Sequence, residues 1–143
     1  MKAFLLSLLA ASAMILISCK YDANSSDLGS LKGTSWVLED LAGLGVIDTA
    51  ESTLVIGDDN RVSGYGACNR WFSSYEFSNG KLRIHQIGAT KRLCPPEMMD
   101  QEKRFFDALS KVREVRMDEH GRLLIYSESY EQPLVFRPKR QAG

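Results

Sequence analysis

The feature that most limits how this chain can fold is its punctuation. From Gly33 onward, short β-like segments are separated by turn residues, and the rhythm is broken once by a stretch of helical period. Thr34 to Leu41 and Thr53 to Ile56 read as strands, and Asp58-Asp59-Asn60 reads as a turn into a third strand, Arg61 to Tyr65. Trp71 to Phe77 and Lys81 to Ile87 flank Asn79-Gly80; both turn residues tolerate positive φ, so this pattern predicts an antiparallel hairpin. Pro95-Pro96 suits a helix start, where the missing N–H has no intrahelical partner to lose. Glu97 to Val112 then carries helical spacing, with Met98, Phe105, Leu109 and Val112 on one face. Glu114 to Met117, Leu123 to Tyr126 and Leu134 to Phe136 read as closing strands, separated by Glu119-His120-Gly121 and by Ser129 to Pro133. The expected class is α+β: mostly antiparallel, with about eight short strands in a curved sheet or partial barrel and one packed helix.

Ahead of this pattern, Lys2 and the apolar run Ala3 to Ile17 read as an export signal, too short to span a bilayer comfortably. The run ends in Leu16-Ile17-Ser18-Cys19, which resembles the bacterial lipobox. Residues 1–18 are therefore expected to be removed, with Cys19 acylated, by palmitate among other chains, as the first mature residue. Several acyl chains, at roughly 0.8 kcal/mol per buried methylene, would hold the protein on a membrane without spanning it. An ordinary cleaved signal or an uncleaved anchor is the alternative. Lys20, standing where an inner-membrane retention signal would place Asp, favours the outer membrane in a Gram-negative cell. Residues 19–32 read as the lipidated cysteine and a flexible tether, 33–138 as one domain, and 139–143 as a tail.

The chain has 143 residues, 44% of them hydrophobic, which leaves room for a single domain once the signal is set aside. Its 18 basic and 18 acidic residues balance, so bulk charge gives no reason to expect nucleic acid as a partner. Three cysteines, Cys19, Cys68 and Cys94, are an odd count, which in an exported protein suggests one pair and one residue with another task.

Two segments resemble the META domain, the family that includes the heat-shock-associated HslJ-like proteins. The first is Val62-Ser63-Gly64-Tyr65-Gly66-Ala67-Cys68-Asn69-Arg70, followed by Trp71 to Tyr75; the second is Thr90-Lys91-Arg92-Leu93-Cys94-Pro95-Pro96-Glu97, followed by Glu102. The start Gly33-Thr34-Ser35-Trp36 and the final Leu134-Val135-Phe136 also suit the family, so the likeness covers Gly33 to Pro138. It departs at Ala67, where glycine is common, and at Leu93, where a small residue is more usual. The resemblance implies a mostly β domain with one helix, found in exported proteins. It also implies a link to envelope stress or antibiotic tolerance and no established enzymatic activity.

Cys68 and Cys94 lie in the two motifs and in an oxidising compartment, so a structural disulfide is the leading reading, worth roughly 3–4 kcal/mol in the chain-entropy model. Two buried free thiols and a redox-active pair are the alternatives, the last lacking Cys-x-x-Cys spacing. Gly64 and Gly66 suggest a bulge or a close backbone approach rather than a nucleotide loop, because no third glycine and helix start follow. Asn69 suits a turn cap, and Arg70 a carboxylate partner. Glu102 falls on the apolar helix face, four residues from Met98 and three from Phe105; a buried partner is expected, either Arg70 or a backbone amide near the cysteines. No second carboxylate or nucleophile can be assigned beside Glu102, so no catalytic residue is named and no enzyme is expected. His85 on a strand and His120 in a turn form no ligand cluster, so neither a metal nor another cofactor is expected. Trp36, Trp71, Phe72, Tyr75 and Phe77 are read as core rather than as a ligand surface. The functional expectation is a lipid-anchored, non-catalytic envelope protein with a membrane contact and an unidentified envelope protein or small ligand as partner. A thiol oxidoreductase using Cys68 and Cys94, or a ligand carrier or enzyme inhibitor, is the alternative.

Overall fold

The computed structural model describes residues 28–78 and 81–140. Cys19 and the Asn79-Gly80 turn lie outside the described residues. Among those described, the strands are β1 (Thr34–Leu41), β2 (Thr53–Ile56), β3 (Arg61–Tyr65), β4 (Arg70–Ser78), β5 (Lys81–Ile84), β6 (Gly88–Ala89), β7 (Val112–Met117), β8 (Leu123–Ser127) and β9 (Leu134–Pro138), with one helix, α1 (Pro96–Ser110). They form one antiparallel sheet in the order β5-β4-β3-β2-β1-β9-β8-β7, and β6 pairs separately with β4. The terminal strands β5 and β7 lie against one another without a hydrogen-bonded ladder, so the sheet curls into a nearly closed barrel. This is the α+β architecture expected from the sequence.

Alternation sets the inward face. Trp71, Ser73 and Tyr75 of β4, Leu82 and Ile84 of β5, Leu123 and Ile125 of β8, and Leu134 and Phe136 of β9 are all buried. The stripe Gln101, Glu102, Phe105, Ala108 and Leu109 turns α1 onto the same interior. There Trp71 meets the edges of Phe105 and Phe106, with ring centroids 6.0 and 6.1 Å apart. Tyr75 donates its hydroxyl to the Gly57 carbonyl at 3.0 Å. Burial, with Asp58 and Asp59 nearby, raises its phenol above the ordinary value. The β7–β8 turn is tied by Asp118, whose carboxylate accepts the amides of His120 and Arg122. The Arg122 amide, together with the Arg122 guanidinium, holds this carboxyl below the usual carboxylate range.

Several boundaries differ from those read off the sequence. The helix ends at Ser110 rather than Val112, because Val112 pairs with Ser127 and begins β7. An apolar residue that continues a helical stripe was taken up instead by a strand ladder. The hairpin strand stops at Ile84 rather than Ile87. Tyr75 opposes Ile84 while Phe72 opposes Gly88, a register slip of one residue that marks a bulge between β5 and β6. The strands flanking Asn79-Gly80 do pair, with Ser78 opposite Lys81. Leu31, expected within the tether of residues 19–32, instead closes a 3-10 turn and is buried in the core. At the other end, Pro138 still pairs with Trp36, and the Lys139 amide donates to the Ser35 carbonyl.

Candidate functional site

The two cysteine-containing segments meet at one end of the barrel, where Cys68 and Cys94 form a disulfide with Cα atoms 5.9 Å apart. The bridge joins the β3–β4 turn to the loop that enters α1. Beside it, Glu102 reaches from the helix with only 9% of its surface exposed. Its Oε2 accepts the backbone amides of Cys68 at 3.1 Å and Asn69 at 2.6 Å, and its Oε1 accepts Asn69 Nδ2 at 2.8 Å. Asn69 Oδ1 in turn accepts the Thr90 hydroxyl at 2.9 Å and the Arg92 amide at 2.7 Å. Thr90 Oγ1 also accepts the Arg70 amide at 3.2 Å. One carboxylate on the helix therefore clasps the turn, and one carboxamide in the turn clasps the loop.

Close approach makes the clasp possible. A Cβ on Gly66 would stand 2.7 Å from Glu102 Oε2 and 2.6 Å from the Phe106 ring. A Cβ on Gly64 would collide with the Thr53 carbonyl oxygen, which accepts the Trp71 indole N–H. Both glycines are thus sites of close backbone approach. Between them and the bridge, Ala67 has φ +115°, a left-handed conformation that an alanine adopts only under strain.

Arg70 does not meet Glu102. It points to the outer surface, where its Nε donates to the Tyr65 hydroxyl at 2.9 Å and its guanidinium sits 5.4 Å from the Tyr65 ring centroid. Phe72, read as core, is instead 64% exposed; its place in the alternation of β4 puts it outside, with its ring over Gly88. Trp36, Trp71 and Tyr75 are buried, and Phe77 is half-buried against the same core. His85 Nε2 lies 3.2 Å from Glu76, and His120 Nε2 lies 3.5 Å from Glu119, both pairs at the surface. Among the described residues, no three His, Cys, Asp or Glu side chains converge as metal ligands.

Sequence reasoning missed Gln101 and Ser52. Buried Gln101 donates to the Ala50 carbonyl at 2.9 Å and to Ser52 Oγ at 3.1 Å, and accepts the Ile47 amide at 2.8 Å. Ser52 Oγ donates to the Gly66 carbonyl, so the β1–β2 loop is tied to the same turn. The signal was available: Gln101 lies four residues before Phe105 on the apolar stripe.

A small, nearly closed antiparallel barrel with one inserted helix, pinned at one end by a disulfide and a buried carboxylate clasp, is the class this geometry defines. The model of the META domain matches residues 29–141, and the chain belongs to that family. Its fold is similar to the NMR structure of a protein from Burkholderia xenovorans, with TM-score 0.67 and 24% identity over 82% of this chain and 90% of that one. A second NMR structure aligns with TM-score 0.62 and 22% identity over 76% and 92% of the two chains. No curated protein matches the sequence.

Two stability measurements check the clasp. Hydrogen bonds to a buried charge contribute about 1.5–3 kcal/mol each, and glutamine keeps only one accepting oxygen, so Glu102→Gln should cost roughly 2–3 kcal/mol in urea unfolding. An unchanged midpoint would show that the clasp adds nothing to stability. Ala67→Gly should stabilise by about 1 kcal/mol, net of the extra freedom glycine brings to the unfolded chain. A lower midpoint for that variant would mean that the positive φ carries no strain.

Proposed function

We propose that this chain is a lipid-anchored, non-catalytic envelope protein whose META domain works by binding, in support of envelope integrity under heat or antibiotic stress. The observation that carries the non-catalytic reading is the use made of the motif residues. Glu102, Asn69 and Thr90 spend their polar groups on one another and on backbone amides, leaving them committed to holding the loops together. The interior is filled by Trp71, Phe105 and Phe136, each fully buried, so a partner or ligand is met on the outside of the barrel. The anchor rests on Cys19 at the end of the apolar export segment. Residence on a membrane would give even a weak contact a high effective concentration.

A deletion strain complemented with native protein or with Cys19→Ala tests both parts. Palmitate label and tolerance of heat and envelope-active antibiotics are expected with the native chain and not with the variant. Label retained by Cys19→Ala rules out the anchor, and a deletion strain with normal growth and permeability rules out the stress role. The oxidoreductase alternative is separated by redox titration. A bridge held inside the clasp is expected to have a potential below about −300 mV, typical of structural disulfides, whereas a markedly more oxidising value favours redox work.

A further inference from the structure

The outer face of β2, β3 and β4 carries side chains that the fold does not need. Tyr65 is 42% exposed and, with Phe72, borders a groove of about 410 Å³ into which Arg70 and Lys139 also project. Two further hollows share lining residues with it, one reaching through Lys139 to Arg137 and Arg140 and the other through Phe72 to Arg61, with Glu51 as the one carboxylate in their linings. Asp59 and Glu39 lie close to Arg61 and Arg137. Among the described residues, Arg70, Lys139 and Arg140 make no ion pair. At the end of the same sheet, the loop from Thr90, whose amide pairs with the Arg70 carbonyl, carries Lys91, Arg92 and Leu93. Leu93 is 92% exposed beside the disulfide that fixes the loop.

We infer that this face lies on the anionic phospholipid surface of the membrane that holds the lipid anchor, with Phe72, Tyr65 and Leu93 at the headgroup level and Arg70, Lys139 and Arg140 against phosphates. The inference rests on the anchored reading above. Aromatic rings and a rigidly held leucine suit the interface, where one side is apolar and the other wet, while guanidinium and ammonium groups pair with phosphate. Reach permits this orientation. Nine residue steps separate Cys19 from Leu28, at most roughly 30 Å when extended, and β4 with its nine residues is about as long. The domain can therefore lie with its side, and not only its N-terminal end, against the bilayer.

Hydroxyl-radical footprinting of the purified full-length mature protein on vesicles tests this. Oxidation of Phe72, Tyr65 and Leu93 should fall several-fold on phosphatidylcholine vesicles containing phosphatidylglycerol. Tyr126, on β8 across the barrel, should be unaffected and serves as the internal control. High salt, or Arg70→Glu combined with Lys139→Glu, should restore oxidation, since each cation near an anionic surface is worth about a five-fold change in binding. Equal oxidation with and without phosphatidylglycerol overturns the inference, as does protection of Tyr126 to the same degree. Mass spectrometry of the same sample reports the acyl chains on Cys19 separately. Protein without them that still shows the anionic-vesicle footprint retains the docking face while the anchored reading fails.

Discussion

The Glu102 carboxylate is the interaction on which the rest of the site depends. An ionised carboxylate taken from water loses its hydration, and only strong donors in good geometry offset that cost. Here two backbone amides and one carboxamide supply them, all from the turn that joins β3 to β4. The dependence runs both ways. Without the carboxylate, two buried amides of the turn would lose their acceptor, and without the turn the charge would be buried unpaired. The helix and the turn therefore hold each other, and Asn69 extends the same network to the loop before α1.

The disulfide is redundant with this network only in part. It links the same two loops, but a crosslink acts chiefly by restricting the unfolded chain, whereas the clasp selects one arrangement of the folded one. Gly64 and Gly66 belong to the second task. Their missing side chains let β3 approach the Thr53 carbonyl and let Glu102 reach its donors. Gln101 does for the β1–β2 loop what Glu102 does for the β3–β4 turn, so two adjacent helix residues, one neutral and one charged, fasten two connections at one end of the barrel.

What could be read in the sequence was whatever leaves a local period. Strand β4 alternates cleanly, Asn79-Gly80 marks the hairpin, and Pro95-Pro96 marks the helix start within a residue. The placement of Glu102 on the buried stripe followed from spacing alone. What escaped was set by distant pairing. The bulge between Ile84 and Gly88 comes from β4 holding both β5 and β6 in different registers, and nothing in Lys81 to Ile87 announces it. Val112 fits a helical stripe and a strand equally well, and the ladder to Ser127 decides between them. The identity of the Glu102 donors was equally hidden, because amides of Cys68 and Asn69 come near the helix only once the barrel has curled.

Three residues break local rules. Ala67 occupies a backbone conformation suited to glycine, Leu93 is almost wholly in solvent, and Phe72 presents a large ring outward. None improves the core, and the first lies in the disulfide-bearing turn. A sequence that is locally consistent elsewhere tolerates such positions where something other than folding is being served. Inside the barrel every motif residue has a structural partner, while outside it the Tyr65, Arg70 and Phe72 face carries charge and apolar surface together. The interior thus accounts for why the domain holds its shape, and the outer face of β2 to β4, which the interior does not explain, is where the proposed membrane contact falls.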